Sequence, residues 1–375
     1  MTADDPVPPP EPQADPLPAS LVRAVDLLRC PVCGAEGLTA SARRSRVGGL
    51  TCPEGHHWDA ARQGVVNLLT GAGTRFTPDT AAMVEARDRF LGAGHYAPIA
   101  QAVADAATRG RTSAGMQPQA PAQAPTPTPT ETSARHLAQQ QPEDPRNAPV
   151  AVLDAGAGTG YYLAAVLDAL AAEHAGGDAA LAAVPPGADS RTAAGTGPEV
   201  GAAGITAIGT DLSPVALRRL ARAAPAALPL VWDTWRPLPV RDAAVDVVLA
   251  VFAPRNLPEF ARVLTPDGVL VLVTPRPGHL AELRALTGML AVEPDKEDRL
   301  HHALAGHFTP ADERDVDVPM DLTTADAADA AFMGPAGHHA RAEELAGRLA
   351  DVMTPIRVTA RVTVHTLRPQ THPTD

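Results

Sequence analysis

Apolar residues follow an alternation of strand and helix periods along the second half of the chain. The continuous apolar run 150–153 predicts a buried strand, and apolar positions over 161–170 then follow a helical spacing. A second strand and helix are predicted in 205–223, and the segment 245–252, apolar except for Asp246, predicts a central parallel strand. Residues 356–369 alternate apolar and polar side chains, which is expected of a last strand near a sheet edge. The pattern predicts an α/β sheet.

Composition limits the classes of protein to consider. Proline is abundant (39 of 375 residues) and aromatic residues make up only 3%, so part of the chain is expected to lack a packed core. The formal net charge of −12 argues against broad affinity for nucleic acid, but a local basic surface would still suffice. The chain has no uninterrupted apolar run of about 20 residues that would predict a membrane span. Its acidic, proline-rich start does not resemble a signal peptide, and a soluble cytoplasmic protein is expected.

The three cysteines of the chain predict a metal site rather than disulfides. Cys30 and Cys33 form a Cys-x2-Cys pair, and Cys52 begins a Cys-x3-His knuckle that ends at His56. Two such knuckles separated by a short loop have the spacing of a zinc ribbon, because Zn²⁺ prefers four tetrahedral thiolate or imidazole ligands. We favour His56 as the fourth ligand, with His57 as the open alternative.

Arginines cluster beside this ribbon although the chain as a whole is acidic. Residues 41–78 hold five arginines and two acidic residues, a local balance of +3. The arginines are Arg43, Arg44, Arg46, Arg62 and Arg75. Because a guanidinium presents several donors in one plane, it suits phosphate oxygens. The cluster therefore favours contact with nucleic acid over a merely solvated loop.

A glycine-rich turn follows the first predicted strand of the sheet. Asp154 is followed by Gly156, Gly158 and Gly160 at alternate positions. Glycine allows a sharp turn and lets a ligand lie against the main chain. The dinucleotide-binding fingerprint would require a further glycine where Tyr161 stands. The Asp-x-Gly-x-Gly-x-Gly pattern instead resembles the first motif of S-adenosylmethionine-dependent methyltransferases. This resemblance implies a class I, Rossmann-like methyltransferase sheet that binds S-adenosylmethionine at the turn.

Asp211 ends the second predicted strand. In a doubly wound sheet, the acidic residue at this position hydrogen-bonds the ribose hydroxyls of a bound nucleoside. Asp211 is therefore predicted to bind the cofactor, and Ser213 is predicted to cap the helix that follows. Asp233, after the third strand, stands where related enzymes hold the edge of the adenine.

Four segments occur in an order that is specific to one known family. They read CPVC, CPEGHHWDAARQGVVNLL, DTAAMVEARDRFLGAGHY and VLDAGAGTGYY. In this order they resemble the bacterial 23S rRNA (guanine-N1)-methyltransferases, over roughly residues 28–105 and 150–290. The resemblance implies a small N-terminal zinc-ribbon domain ahead of a class I methyltransferase domain. Some family members confer resistance to macrolide antibiotics by methylating a hairpin loop of the ribosomal exit tunnel; the sequence leaves open whether this chain does.

The resemblance also implies roles for individual residues. The residues that match cofactor contacts of the family are Tyr96, Gly158, Thr159 and His279. The segment Phe252-Ala253-Pro254 departs from the Asn/Asp-Pro-Pro-aromatic motif of amino-group methyltransferases and is similar to the Tyr-Ala-Pro pattern of the ring-nitrogen family. No catalytic base is identified; the loop 254–256 and His279 are the first places to look for one.

The chain is predicted to divide into five parts, one of which carries an insertion. They are a disordered tail (1–20), the zinc ribbon (21–70), a helical connector (71–108) with helices over 79–91 and 97–107, a flexible linker (109–149), and the methyltransferase domain (150–368) with a disordered insertion at about 173–204. A linker of this composition predicts a ribbon that moves relative to the catalytic domain.

The favoured function is methylation of N1 of a guanine in a hairpin loop of 23S rRNA. Two alternatives stay open at this point: a methyltransferase that acts on a small molecule, and a non-enzymatic zinc-ribbon binding protein. The ribbon and its arginines favour the RNA substrate. The expected cofactors are S-adenosylmethionine and Zn²⁺. The expected partner is the rRNA hairpin, with a homodimer as an open alternative and no membrane partner.

Overall fold

A computed structural model describes residues 17–43, 46–69, 73–114, 148–175, 204–288, 296–339 and 341–370 of the chain. The predicted tail, linker and insertion lie mainly outside these ranges. Within them, no helix combines the length and the apolar character that crossing a membrane requires.

The N-terminal part consists of a short helix and a small antiparallel sheet. Helix α1 (Ala19–Ala24) leads into a 3₁₀ turn (Val25–Leu27), and strands β1 (Thr39–Arg43), β2 (Arg46–Thr51) and β3 (His57–Asp59) pair in chain order. The predicted arginine cluster falls partly on this sheet. Arg44 lies outside the described residues, as do the side chains of Arg43 and Arg46.

An eight-stranded mixed sheet forms the rest of the framework. Its strands are β4 (Val66–Asn67), β5 (Val150–Ala155), β6 (Ile205–Asp211), β7 (Ala227–Val231), β8 (Val245–Val251), β9 (Leu264–Pro275), β10 (Phe308–Leu322) and β11 (Ile356–Pro369). Their order in space is β10-β11-β9-β8-β5-β6-β7-β4. The six strands from β9 to β4 run parallel. Strand β11 pairs antiparallel with β9, and β10 pairs antiparallel with β11. This sheet confirms the predicted α/β fold with a class I methyltransferase sheet.

The carboxyl ends of β8, β5, β6 and β7 meet on one side of the sheet, which we call the carboxyl edge. In open parallel sheets, ligands bind in the crevice at this edge. The last strand, β11, was predicted near a sheet edge and lies second from it, because β10 pairs along its outer side. Strand β10 was not predicted from the sequence.

Helices cover both faces of the sheet. They are α2 (Ala81–Gly92), α3 (Ala97–Ala114), α4 (Tyr161–His174), α5 (Pro214–Ala223), α6 (Leu257–Val263), α7 (Ala281–Thr287), α8 (Lys296–Leu304), α9 (Thr324–Phe332) and α10 (Ala342–Leu349). One apolar core lies between helices α2, α3, α4 and α5 and one face of the sheet. A second core lies between α1, the ribbon and α6 and the other face of the sheet. The parallel strands are therefore buried on both faces, as their continuous apolar runs require.

The ribbon is packed against the sheet. Leu21 of α1 and Leu50 of β2 are fully buried in the same core as Ile208 of β6. The main-chain N–H of Arg29 donates to the carbonyl oxygen of Pro239 at 3.2 Å, which ties the ribbon to the segment before β8. The structure differs here from the predicted mobile ribbon, because the linker joins α3 to β5 whereas the ribbon is held by its own apolar face.

Candidate active site and metal centre

The two knuckles of the ribbon bring four possible metal ligands together. One donor atom from each of Cys30, Cys33, Cys52 and His56 lies within 4.8 Å of all the others. The Cys33 and Cys52 sulfurs are 3.5 Å apart, and the Cys30 sulfur is 3.6 Å from Nδ1 of His56. Sulfurs bound to one tetrahedral Zn²⁺ at about 2.3 Å would be separated by a similar distance. Three sulfurs and one imidazole nitrogen at this spacing fit Zn²⁺.

The neighbouring His57 is engaged elsewhere. Its Nδ1 lies 3.0 Å from the hydroxyl of Thr51, and its Nε2 lies 2.9 Å from a carboxylate oxygen of Asp59. Both ring nitrogens therefore have partners within the small sheet. Of the two histidines left open by the sequence, the structure brings only His56 to the cysteines.

The glycine turn lies at the carboxyl edge, between β5 and α4. Gly156, Gly158 and Gly160 have positive φ values of 88°, 54° and 83°. A Cβ on Gly156 would lie 2.5 Å from the Cβ of Ala253, and one on Gly160 would lie 3.0 Å from the Cα of Leu220. These two glycines permit close packing. At Gly158 the nearest atom to an added Cβ is a guanidinium nitrogen of Arg87 at 3.5 Å, so the positive φ, and not close packing, is what requires glycine there.

Asp211 connects this turn to the end of β6. One carboxylate oxygen accepts the main-chain N–H of Gly158 at 3.0 Å, and the other accepts that of Ser213 at 2.8 Å. Ser213 in turn caps α5 by accepting the N–H of Ala216 at 3.4 Å. Burial raises the pKa of Asp211, and the two N–H donors oppose this effect. The carboxylate keeps free lone pairs and can accept further donors such as ribose hydroxyls.

Asp154 and Thr159 are buried, as is the predicted cofactor residue Tyr96. Asp154 lies near the end of β5 and is only 2% exposed, and Thr159 is 5% exposed. Burial, and secondarily the charge of Asp211, raise the pKa of Asp154 to about 8. The carboxyl group is therefore largely protonated at neutral pH, when it can donate a hydrogen bond.

An aromatic cluster lies beside the turn at the end of β8. The ring of Phe252 is 6.1 Å from that of Tyr96, 6.3 Å from Tyr162 and 5.9 Å from the imidazole of His279, measured between centroids. Tyr96 is buried, and burial raises its pKa. Phe252 is 40% exposed and has a φ of 54°, a left-handed conformation that non-glycine residues rarely adopt.

His279 is held by the neighbouring strand β11. Its Nδ1 lies 2.9 Å from the carbonyl oxygen and 3.2 Å from the main-chain nitrogen of Arg361. Burial lowers the pKa of His279 to about 4, so the ring is neutral at physiological pH. A neutral imidazole does not repel a positively charged ligand.

The structure adds Arg87 to the site and places Phe252, so far only the first residue of a Phe-Ala-Pro segment, at its centre. Arg87 of α2 pairs with Asp79 at 2.6 Å and places a guanidinium nitrogen 3.5 Å from where a Cβ of Gly158 would stand. The position of Phe252 depends on its left-handed backbone conformation, which no sequence pattern predicts. For Arg87, the only signal was its place in the segment DTAAMVEARDRFLGAGHY, which carried the family resemblance.

Comparison with known proteins gives a family. No protein-family model matches the chain. A Streptomyces fradiae protein named 23S rRNA (guanine(748)-N(1))-methyltransferase is 36% identical over 92% of this chain and 98% of its own length. A Micromonospora griseorubida protein provisionally named 23S rRNA (guanine-N(1)-)-methyltransferase is 41% identical over 91% of this chain and 97% of its own. YxjB of Bacillus subtilis, provisionally given the same name, is 30% identical over 70% of each chain.

The chain belongs to the 23S rRNA (guanine-N1)-methyltransferase family. It is therefore a methyltransferase that uses S-adenosylmethionine, with a Cys₃His group suited to zinc. Among solved structures, the YcgJ protein of Bacillus subtilis is 14% identical and covers 60% of this chain and 94% of that one, with a TM-score of 0.36.

The carboxyl edge of this methyltransferase fits its cofactor. The glycine turn, the carboxylate of Asp211 and the neutral ring of His279 suit a nucleoside that carries a sulfonium charge. Tyr96 and His279 both contact Phe252 and so lie close together, although they are 183 positions apart in the chain. The assignment of individual residues to the cofactor stays a prediction.

Proposed function

We propose that this methyltransferase acts on N1 of a guanine in a hairpin loop of 23S rRNA. The observation that carries the proposal is its similarity, over 91% and 92% of the chain, to relatives named for that reaction. Because the S. fradiae relative is named for guanine 748, that position is the first to examine. A zinc ribbon packed on the sheet also favours an RNA substrate over a small molecule, which would not need such a module.

The residues of the carboxyl edge are proposed to position the reactants. S-adenosylmethionine supplies an already activated methyl group when it is bound. The chain has to hold the nucleophile close and in line with that group. We assign the Gly158 main chain and Asp211 to the nucleoside of the cofactor, and Tyr96 and His279 to its other end.

Phe252 is proposed to receive the target base. A stacked base cannot reach the methyl group, so it has to leave its stack, at a cost of a few kcal/mol. The exposed ring of Phe252 offers a replacement surface at the end of β8. Its left-handed backbone costs about 1–3 kcal/mol, and such strain persists where function requires it. Burial lowers the pKa of the nearby Arg255. Among the described residues, no carboxylate forms an ion pair with this arginine. We assign Arg255 to a phosphate of the RNA.

The base that removes the N1 proton is not His279 in this proposal. With a pKa lowered to about 4, its imidazole holds a proton too weakly at neutral pH to serve that role well. In the loop 254–256, the side-chain amide of Asn256 donates to the carbonyl oxygens of Thr234 and Arg236, and so has a structural role.

Purified protein incubated with deproteinised 23S rRNA and S-adenosylmethionine labelled in the methyl group tests the proposal. Nuclease digestion and mass spectrometry should identify the labelled nucleoside as 1-methylguanosine. Label in a different nucleoside, or in a small metabolite but not in rRNA, would overturn it.

The cytoplasmic location and the homodimer stay predictions. Sedimentation of the full chain would decide whether it forms a homodimer.

A further inference from the structure

Exposed aromatic rings are concentrated at the carboxyl edge of the sheet. The chain contains six Phe, three Trp and three Tyr, and all of them lie in the described residues. Three of these rings are exposed: Phe252 at 40%, Phe76 at 36% and Trp235 at 52%. Phe252 belongs to the proposed active site. Phe76 and Trp235 come from two different loops and are not part of that site.

Asp233 joins the two loops that carry these rings. Related enzymes hold the edge of the adenine at the position of Asp233; here each of its carboxylate oxygens also accepts a hydrogen bond from the protein. One accepts the hydroxyl of Thr74 at 2.6 Å, and the other accepts the main-chain N–H of Trp235 at 3.0 Å. The Thr74 hydroxyl also accepts the main-chain N–H of Phe76 at 3.2 Å. The Phe76 and Trp235 backbones are therefore held to one buried carboxylate.

Two arginines add positive charge and flat surface to these loops. The guanidinium of Arg75 lies 5.0 Å from the centre of the Phe76 ring, and that of Arg236 lies 5.9 Å from the centre of the Trp232 ring. Arg236 also donates to the carbonyl oxygen of Gly73 at 2.6 Å, a second tie between the loops. Planar guanidinium groups beside aromatic rings suit unpaired bases and their phosphates, and local positive charge complements RNA although the chain is acidic.

This surface lies between the ribbon and the active site. Residues 73–76 follow β4, the edge strand that continues from the ribbon into the large sheet. On the other side, the Asn256 amide donates to the carbonyl oxygens of Thr234 and Arg236 at 2.9 and 3.3 Å. The loop of Trp235 is thus fixed to the loop that follows Phe252.

We propose that Phe76 and Trp235, with Arg75 and Arg236, form a stacking platform for unpaired bases of the RNA loop that flank the target nucleotide. The inference rests on the proposed rRNA substrate and adds the surface that holds it. It assigns to Asp233 the positioning of the platform. Each stacked base contributes enough that loss of one ring should weaken RNA binding about 5- to 150-fold.

Binding of an RNA stem-loop with an unpaired purine loop, compared with the same stem as a closed duplex, tests the platform. Trp58 and Trp232 are 6% and 3% exposed, so quenching of tryptophan fluorescence by the stem-loop should come mainly from Trp235. Phe76→Leu and Trp235→Leu should each weaken stem-loop binding by the stated factor, whereas Trp235→Phe, which keeps a ring, should retain most of it. Val22→Ala, which changes an exposed apolar residue on α1, should have no effect.

Calorimetry with S-adenosylmethionine is the second measurement for the same variants. Unchanged cofactor affinity together with weaker stem-loop binding supports the platform. Loss of cofactor affinity in Trp235→Leu would assign this ring to the cofactor pocket and overturn the inference. Wild-type affinity for the stem-loop in both leucine variants, with rRNA methylation by the wild type intact, would overturn the platform while leaving the proposed function standing. Absence of rRNA methylation by the wild type would instead refute the proposed function.

Discussion

Replacing Asp211 with asparagine is expected to weaken cofactor binding strongly. The carboxylate accepts two main-chain N–H groups, from Gly158 at 3.0 Å and Ser213 at 2.8 Å. An amide has one acceptor oxygen, so one of these N–H groups would face an NH₂ donor instead. A hydrogen bond to a charged acceptor contributes about 1.5–3 kcal/mol, and the ribose hydroxyls would lose a charged acceptor too. At about 1.4 kcal/mol per factor of ten, we expect the Kd for S-adenosylmethionine to rise by about 10- to 100-fold.

A matched control is available at the opposite end of the same sheet. One carboxylate oxygen of Asp246 accepts the main-chain N–H of Ala151 at 2.8 Å, near the start of β5. Asp246→Asn should lower thermal stability and leave cofactor affinity within about twofold, because the change lies away from the glycine turn. Isothermal titration with S-adenosylmethionine measures both variants. Unchanged affinity in Asp211→Asn, or an equal loss in both variants, would refute the role given to Asp211.

Three further outcomes are expected. Removing zinc with a chelator should unfold the ribbon and shift tryptophan emission to longer wavelength. The reason is that Trp58 is only 6% exposed and its ring centre lies 6.3 Å from that of His56. An unchanged spectrum would argue against a structural metal. The pKa of Asp154 is raised from 3.8 to about 8, so the folded state binds this proton more tightly than the unfolded state does. The resulting stabilisation is complete below pH 3.8 and is lost as the pH rises to about 8. The gain in Tm from Asp154→Asn should therefore grow between pH 5 and pH 8, and a constant difference in thermal scans would contradict the burial of this group. Phe252→Ala should lower kcat/KM for 23S rRNA about tenfold or more while Phe252→Tyr retains activity, and equal activity of both variants would remove Phe252 from the substrate site.

The framework of the fold was predictable because local pattern and global structure agree over its central strands. The apolar runs that predicted β5 and β8 are buried on both faces of the sheet, and the glycine turn follows directly from the first of them. Strand β10 was missed because its residues 309–317 are mostly exposed and rich in acidic side chains. Its strand conformation depends on antiparallel pairing with β11 and not on apolar alternation.

Site residues could be predicted from sequence patterns only where strands that are consecutive in the chain are also neighbours in the sheet. Asp211 could be placed beside the glycine turn because consecutive parallel strands end at the same edge. Tyr96 and His279 came from the family resemblance, since no local pattern brings residues so distant in the chain together. The contact of Thr74 with Asp233 spans 159 positions and depends on the docking of the ribbon segment, which the sequence did not reveal.

Mapping the methylated base in ribosomes tests directly whether this protein methylates a guanine of 23S rRNA. Primer extension on 23S rRNA from a strain that lacks the gene, with and without the expressed chain, reads methylation of the pairing edge of guanine as a stop. We expect one new stop at a guanine of a hairpin loop when the chain is expressed, and loss of this stop with Asp211→Asn. An identical pattern with and without an expressed chain that binds S-adenosylmethionine would contradict it.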